Sequence, residues 1–243
     1  PWLQVVDSPQ PHLALTTALP LDEAGHAVGP FPSRAAAREA QRAAESVLRL
    51  QAWDGHGTRA VRRSDTPADP EAARQALSGQ IDVVAAPLLE RIETLSAAQR
   101  YEEAGLWTRR LRALLLAARR AETARPLLVC PHLLAARRRQ VGGWELVAVR
   151  WGRLAGSALT PPGADPRPTI QTLRATAQVV DPPERVGADT SVEETLLLAD
   201  WVLDAGARLV EVEGADGAAG GSALLSWPIG AAARHKRVLD ADL

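Results

Sequence analysis

The stretch GHAVGPFPSRAAAREAQRAA (residues 25–44) decides how the N-terminal part of this chain folds. Gly29 can adopt backbone angles that are closed to other residues, and the prolines around it fix theirs, which predicts a rigid corner. Ser33 then stands at the N-cap position of a helix that Arg34 opens. Small residues recur at helical spacing, which predicts a helix with a shallow buried face that ends near Gln51. The members of that face are Ala36, Ala40, Ala43, Val47 and Leu50.

Short segments on either side of this stretch extend the prediction. WLQVV (2–6) and HLALTT (12–17) alternate between apolar and polar residues, which predicts two β-strands. A turn is expected at residues 22–25. The segment 53–70 is rich in glycine, proline and charge and is typical of a connector.

Two apolar stripes at helical spacing follow the connector, joined by the short polar segment SAAQRYEEA (96–104). Stripes joined so closely predict an antiparallel helical hairpin over about residues 80–121, in which each stripe buries the other. The first stripe is Ile81, Val84, Leu88, Ile92 and Leu95, and the second is Ala104, Trp107, Leu111, Leu114 and Ala118.

The last part of the chain begins after a predicted break at residues 126–131. WELVAVRWGRLAGSAL (144–159) predicts a β-hairpin with Gly152 near its turn. A stiff proline-rich loop at 160–169 and a helix at 170–180 are expected next.

A capping pair marks the helix that follows. Ser191 and Glu194 have the spacing of a capping box, Gly206 ends the helix, and residues 208–213 resemble a strand. Residues 214–221 are expected to be flexible. The helix is expected to carry the apolar residues Leu197, Trp201 and Ala205.

Composition excludes several classes of protein. No apolar run approaches the roughly 20 residues of a membrane span, and no signal segment is present, so a cytoplasmic protein without a membrane partner is expected. The lone Cys130 excludes an internal disulfide framework and a cysteine-rich zinc site, and is expected to be a small buried residue. The chain begins PWLQVV and contains no methionine, so we expect a fragment of a longer protein, with a natural stand-alone protein as the alternative.

Charge is unevenly distributed although the net charge is only −1. Residues 34–63 carry seven arginines against three acids, and residues 100–139 carry ten against three. Residues 181–216 reverse this, with ten acids against two arginines. Basic faces of this kind can follow a phosphate backbone, or can be ordinary solvated helix surfaces.

The sequence contains a candidate binding surface but no recognisable catalytic group. The five histidines show no metal-ligand spacing and no nucleophile elbow is present, so no catalytic residue, metal site or cofactor is predicted in this chain. Arginines at i, i+4 and i+8 of the corner helix share one face, which predicts weak, salt-sensitive DNA binding. The candidate DNA-binding residues are Arg34, Arg38 and Arg42 on that helix, with Arg109, Arg110 and Arg112 on the hairpin.

GPFPSRAAAREA, followed about fifty residues later by LLERIETLSAAQRYEEAGLWTRRLRALL, resembles the UvrC/Cho family of GIY-YIG DNA-repair endonucleases. The opening PWL and the segment GGWELVAVRWGRLAG are similar to bacterial proteins that fuse a DEDD-type, polymerase-epsilon-like exonuclease to a Cho-like module. The resemblance implies an α+β chain in three parts. These are the tail of a GIY-YIG α/β domain with a connector (1–62), a UVR-like antiparallel helical hairpin (63–125), and a small mixed α/β C-terminal domain (126–243).

The implied function is that of the non-catalytic C-terminal portion of a nuclease of the nucleotide excision repair type. The family's catalytic residues and its Mg²⁺ or Mn²⁺ site would precede the point that matches Pro1, so none is carried over. The hairpin implies a UvrB-like partner, or the missing N-terminal domains, contacting Tyr101, Glu102 and Trp107. YEEAGLWTR departs from the family's FEEAAxLRD by placing Gly105 and Arg109 in the hairpin. The alternatives are a hairpin protein-interaction scaffold with no role in nucleic-acid binding, and an independent enzyme.

Overall fold

The structure, a computed structural model, describes residues 1–8, 11–48, 50–53, 70–188, 191–213 and 231–240. Over these residues the chain is α+β, with seven α-helices and two four-stranded sheets, and this confirms the predicted class. The chain divides into two compact units. Unit 1 comprises Pro1–Glu122 and Pro228–Leu243, and unit 2 comprises Thr123–Trp227. The division by function into 1–62, 63–125 and 126–243 stays a prediction.

The sheet of unit 1 has the strand order β3-β1-β2-β4. The two strands predicted near the N-terminus are present as β1 (Trp2–Val6) and β2 (His12–Thr16), which pair antiparallel. β3 (Ala27–Val28) pairs antiparallel with β1 on its other side. Where a turn was predicted, Asp22–His26 forms a 3₁₀ helix.

The Gly-Pro-Phe-Pro corner closes against the start of β1. A Cβ at Gly29, where φ is +153°, would lie 2.8 Å from the indole of Trp2, so only glycine fits without a shift. The Gly29–Pro30 peptide bond is cis. The backbone N–H of Phe31 donates to the carbonyl of Pro1 at 2.9 Å, and the Phe31 ring is buried. The corner thereby fixes where the following helix starts.

That helix is α1 (Arg34–Leu48), and Ser33 caps it as predicted, its hydroxyl accepting from the N–H of Ala36 at 3.1 Å. The prediction that the helix extends to near Gln51 is wrong. Gln51–Trp53 forms β4, which pairs parallel with β2 and takes the backbone out of the helix. Of the predicted shallow face, Ala40, Ala43 and Leu50 are buried, although Leu50 lies beyond the helix, while Ala36 and Val47 are only partly buried. The buried residues of α1 are Ala37, Ala40, Gln41, Ala43, Ala44 and Leu48.

A helix that the sequence reading missed follows the predicted connector. α2 (Pro70–Leu77) begins with a proline, which costs nothing at a helix start because the first N–H groups have no helical partner. Residues 54–69 of the connector lie outside the described residues.

The helical hairpin is confirmed as α3 (Asp82–Ala97) and α4 (Tyr101–Leu128). Arg91 and Trp107, eight positions on either side of Gln99, are in contact, and a contact of this symmetry requires antiparallel helices. Nine of the ten stripe residues are buried in one core, and Ile92 is partly buried against it.

The predicted break at 126–131 begins too early, because α4 continues through Pro126. A proline in the last turn removes only one helical hydrogen bond, so the helix can continue past Pro126 to Leu128.

Residues 231–240 return to unit 1. Ala232–His235 forms a 3₁₀ helix that leads into the one-turn helix α7 (Lys236–Leu239). Val238 and Leu239 are buried in the same core as the hairpin stripes. The Nε2 of His235 lies 2.6 Å from an Asp82 carboxylate oxygen at the start of α3.

Unit 2 is built on an antiparallel sheet of order β7-β6-β5-β8. The predicted hairpin is present as β6 (Trp144–Arg150) and β7 (Arg153–Leu159). Its two-residue turn has positive φ at both positions, Trp151 and Gly152, as such hairpin turns require. The other two strands are β8 (Ala207–Glu213), which was predicted, and β5 (His132–Arg138), which was missed.

Two helices cover opposite faces of this sheet. α5 (Arg167–Thr176) packs on the face that carries Leu134, and begins and ends three to four residues earlier than predicted. α6 (Val192–Leu203) packs on the face that carries Leu133.

Of the apolar residues predicted on α6, Leu197 is in the helix but 71% exposed, and Ala205 lies beyond the end of the helix, so that part of the prediction is wrong. Trp201 is only partly buried against the core. Ser191 accepts from the N–H of Glu194, as a capping residue does, and the carboxylate of Glu194 also accepts from the N–H of Leu154 in β7. The buried residues of the helix are Val192, Thr195, Ala199 and Val202. The predicted flexible segment 214–221 lies outside the described residues.

Candidate nucleic-acid interface

The three arginines of α1 lie on its exposed side, opposite the alanine face. Arg34, Arg38 and Arg42 are all exposed, and their i, i+4, i+8 spacing places them along one side of the helix. Within the described part of the chain, the side chains of Arg34 and Arg38 make no hydrogen bond and no ion pair. Two guanidinium groups are therefore available to an anion on this surface.

A carboxylate joins the end of this row to the hairpin. Glu39 accepts from Arg42 of α1 at 2.7 Å through one oxygen and from Arg110 of α4 at 3.0 Å through the other. The Glu39 side chain is one-third exposed and that of Arg110 is 16% exposed. The structure thus brings Arg34, Arg38, Arg42 and Arg110 to one surface of unit 1, which we call the basic surface.

The other two predicted arginines have different surroundings. Arg112 is half-buried, and its Nε donates to the carbonyl of Leu239 at 3.1 Å, which ties the C-terminal segment to the hairpin. Arg109 is exposed, and one of its guanidinium nitrogens lies 3.8 Å from where a Cβ on Gly105 would be. Arg112 therefore has a structural role, and the structure does not link Arg109 to Glu39.

Trp107 lies in the interior of the hairpin and not on its surface. Its side chain is buried, and the guanidinium carbon of Arg110 lies 4.8 Å from its ring centroid. The guanidinium carbon of Arg91 lies 4.0 Å from the same centroid. Cation–π contacts at these distances stabilise both cations by about 0.5–2 kcal/mol. Of the predicted partner-binding residues, only Tyr101, 67% exposed, and Glu102 present their side chains to solvent.

Sequence reasoning missed Arg91. It lies sixteen positions from Trp107, and no local pattern marks the pair. The signal that could have found it is the symmetry of the hairpin about Gln99, which places residues 91 and 107 opposite each other once antiparallel packing is assumed.

Unit 2 contains a buried polar cluster around His132, which is 3% exposed. Its Nδ1 accepts from the Nε of Arg150 at 3.4 Å, so the neutral ring carries its proton on Nε2, which faces Glu211 at 3.8 Å. Burial lowers the pKa of His132, and the Arg150 charge adds to this, while the carboxylates of Glu213 and Glu211 oppose it. Arg174 forms a two-pronged ion pair with Glu211.

Cys130 lies beside this cluster and is buried, as predicted. Burial raises the pKa of its thiol to about 11, against a smaller lowering by the hydrogen bond to the carbonyl of His132. A thiol with so high a pKa is protonated at neutral pH and is a poor nucleophile. Among the described residues, no group of three or more His, Cys, Asp or Glu side chains is arranged to hold a metal ion.

Comparisons with known proteins give one similarity. The chain is 29% identical, over 235 aligned residues, to a protein of Mycobacterium tuberculosis (strain CDC 1551 / Oshkosh) named "Putative bifunctional exonuclease/endonuclease protein MT2247". The alignment covers 87% of this chain and 36% of that protein, so the chain spans about a third of the length of its relative. No family model matches the chain, and no solved structure matches it. No helix in the described ranges is long and apolar enough to cross a membrane. The similarity relates this chain to a protein named for nuclease activity.

Proposed function

We propose that this chain is a non-catalytic portion of a UvrC/Cho-like DNA-repair nuclease of the nucleotide excision repair type, and that its basic surface positions DNA. The observation that carries the proposal is the exposed arginine row of α1, in which Arg34 and Arg38 face solvent without a partner among the described residues. A row of guanidinium groups on one helix side can contact successive phosphates of a nucleic-acid backbone.

The order of the motifs supports the same proposal. The Gly-Pro-Phe-Pro corner, the helix α1 and the hairpin α3–α4 follow one another as in the family that the sequence resembles. The Mycobacterium tuberculosis relative is named for both exonuclease and endonuclease activity. By that resemblance the nuclease chemistry, with Mg²⁺ or Mn²⁺, belongs to other parts of such a protein, so we expect no DNA cleavage by this chain alone.

Further parts of the proposal concern partners and location. The exposed start of α4, with Tyr101 and Glu102, would contact a UvrB-like protein or other domains of the nuclease, and the protein would act in the cytoplasm. The family has an aspartate where this chain has Arg109, so a partner would meet a positive charge at this position.

DNA binding is tested by fluorescence anisotropy with a labelled DNA duplex at about 50 and 200 mM salt. Between these salt concentrations, an affinity that depends on phosphate contacts falls strongly. We expect micromolar or weaker binding that falls steeply with salt. Replacing Arg34, Arg38 and Arg42 together with glutamine should weaken binding and reduce the salt slope by about two to three.

A matched control removes the same three charges from exposed positions of unit 2, through Arg138→Gln, Arg167→Gln and Arg185→Gln. This control should bind like the parent chain. If the α1 variant and the control weaken binding equally, only net charge matters and the α1 surface has no special role. If the parent chain shows no salt-dependent binding, the scaffold alternative replaces DNA positioning.

Cleavage is tested by incubating the purified chain with nicked, flapped and bubble DNA in the presence of Mg²⁺ or Mn²⁺. Structure-dependent cleavage that survives stringent purification would contradict the proposal that this chain is non-catalytic.

A further inference from the structure

A continuous chain of contacts extends the basic surface across the hairpin. Arg91 of α3 lies over the ring of Trp107 in α4, and Arg110 lies over the same ring. Arg110 in turn binds Glu39, and Glu39 binds Arg42 of α1. Three arginines from three different helices are therefore connected through one indole and one carboxylate.

Contact with an aromatic ring and contact with a carboxylate differ in whether the guanidinium can still donate hydrogen bonds to a ligand. Arg91 is exposed, and its guanidinium N–H groups have no hydrogen-bond acceptor among the described residues. A guanidinium held over an aromatic ring keeps its N–H donors for an anion, and the ring restricts where the side chain can point. Arg91 is thus positioned and still able to donate.

Arg42 and Arg110 are instead occupied by Glu39. An arginine can bind a carboxylate or a phosphate with the same donors, so a phosphate that approaches either residue must compete with Glu39. Glu39 is one-third exposed, which leaves it room to move away when an anion arrives.

We propose that Arg91, Arg110 and Arg42 form a second phosphate-binding row, which continues the α1 arginines across the hairpin, and that Glu39 limits DNA affinity by competing for two of them. The inference rests on the proposed DNA-positioning function. It adds the path that the DNA backbone takes over the hairpin and names Glu39 as the group that limits DNA affinity. The ligand is the phosphodiester backbone of DNA.

The inference predicts opposite effects for two substitutions. Glu39→Gln keeps the side-chain size but removes the competing charge, so DNA should bind more tightly. Each additional phosphate contact changes affinity by about five- to tenfold near 0.1 M salt and steepens the salt slope by about one. Glu39→Gln releases two arginines, so its effect is one to two such contacts. Arg91→Gln should weaken binding by a similar factor and flatten the slope by about one.

The experiment is the same anisotropy titration with the full chain and a labelled DNA duplex at two salt concentrations. Glu193→Gln serves as the matched control for Glu39→Gln, because it removes one exposed carboxylate from unit 2. It should stay within about twofold of the parent, since non-specific binding responds mainly to charges near the phosphates. Arg91→Lys keeps the charge and should keep the parent slope, and thermal midpoints show that each variant folds.

The outcomes separate this inference from the proposed function. Tighter binding by Glu39→Gln, with weaker binding by Arg91→Gln, supports the second row. If the α1 triple variant loses affinity while Glu39→Gln and Arg91→Gln both bind like the parent, DNA follows α1 alone and this inference is wrong. If the parent chain does not bind the duplex, the proposed function and the inference built on it both fall.

Discussion

Leu111→Ala should destabilise the chain strongly, because Leu111 lies at the centre of the hairpin core. Its side chain is 0% exposed, and its α4 neighbours Leu114 and Leu115 are equally buried. Removing a fully buried leucine side chain costs the transfer free energy of the lost atoms and the energy of the cavity left behind, together about 2–5 kcal/mol. For a chain of this size, a loss of about 3 kcal/mol lowers the thermal midpoint by roughly 6–12 °C.

The same helix offers a matched control. Leu116 is 40% exposed, so Leu116→Ala removes the same side-chain atoms from the same helix but takes less buried apolar surface away than Leu111→Ala. Its cost should stay below about 1 kcal/mol, as is usual for surface positions. Both variants have the same helix propensity change, which cancels in the comparison.

Thermal and urea unfolding, followed by far-ultraviolet circular dichroism, measures both variants against the parent chain. The reasoning is refuted if Leu111→Ala and Leu116→Ala have the same midpoint, because the stripe would then not be the buried side of α4. Leu88→Ala on α3, 1% exposed, provides an independent test of the opposing stripe and should match Leu111→Ala in direction and size.

Three further predictions concern single residues elsewhere in the chain. At pH 8 a thiol with a pKa of about 11 has about a hundredfold less thiolate than one with a pKa of 9.0, so Cys130 should react with Ellman's reagent about a hundredfold more slowly in the folded chain than in the urea-unfolded chain. Equal rates in the two states would show that the thiol is not protected by burial. Burial lowers the pKa of His132, so just below pH 6.5 the ring is protonated in the unfolded chain but stays neutral in the folded chain. The free energy of unfolding is therefore unaffected by this group above about pH 6.5 and decreases as the pH drops toward the folded-state pKa. In urea titrations at several pH values, His132→Asn should lose this part of the pH dependence, and an unchanged difference between pH 7.5 and 5.5 would count against it. Gly105→Ala should raise stability by up to about 1 kcal/mol, because the new Cβ meets only the far end of Arg109 at 3.8 Å, and a lower thermal midpoint would show that this helix position needs glycine.

Long periodic segments of this chain could be predicted from sequence, and short or doubly buried ones could not. α1, the hairpin and the β6–β7 pair each repeat their pattern over fifteen residues or more, so the period is unambiguous. β4 has only three residues and exists because β2 offers it a partner. β5 begins HLLAA and is buried on both faces, so the alternation that marks a strand is missing.

The packing face of α6 shows a different limit. The run LLLADW places apolar residues on every side of the helix, so periodicity selects no face. The structure selects the side that carries Thr195, whose hydroxyl donates to the carbonyl of Gly152 at 3.0 Å. A polar residue can be buried when its hydrogen bond is made, and that partner lies 43 positions away.

The candidate site divides in the same way. The spacing of Arg34, Arg38 and Arg42 on one side of a helix follows from sequence, since it depends only on helical geometry. The ion pair between Glu39 and Arg110 spans 71 positions, and the stacking of Arg91 on Trp107 needs the hairpin to be folded. Sequence therefore shows how much charge a helix carries, but the fold decides which charges remain available to a ligand.

The alanine face of α1 connects the fold with the charge arrangement of the basic surface. The buried face of α1 consists mainly of small side chains such as Ala40 and Ala44, both 0% exposed, and these let the α1 backbone approach the elements it packs on, α3 among them. That approach sets the distance from Glu39 to Arg110 on the neighbouring α4, now 3.0 Å. A larger side chain on this face would cost about 1–3 kcal/mol by overpacking and would move Glu39 away from the hairpin. The alanines that give α1 its shallow face are thus also what holds a competing carboxylate between the two groups of arginines.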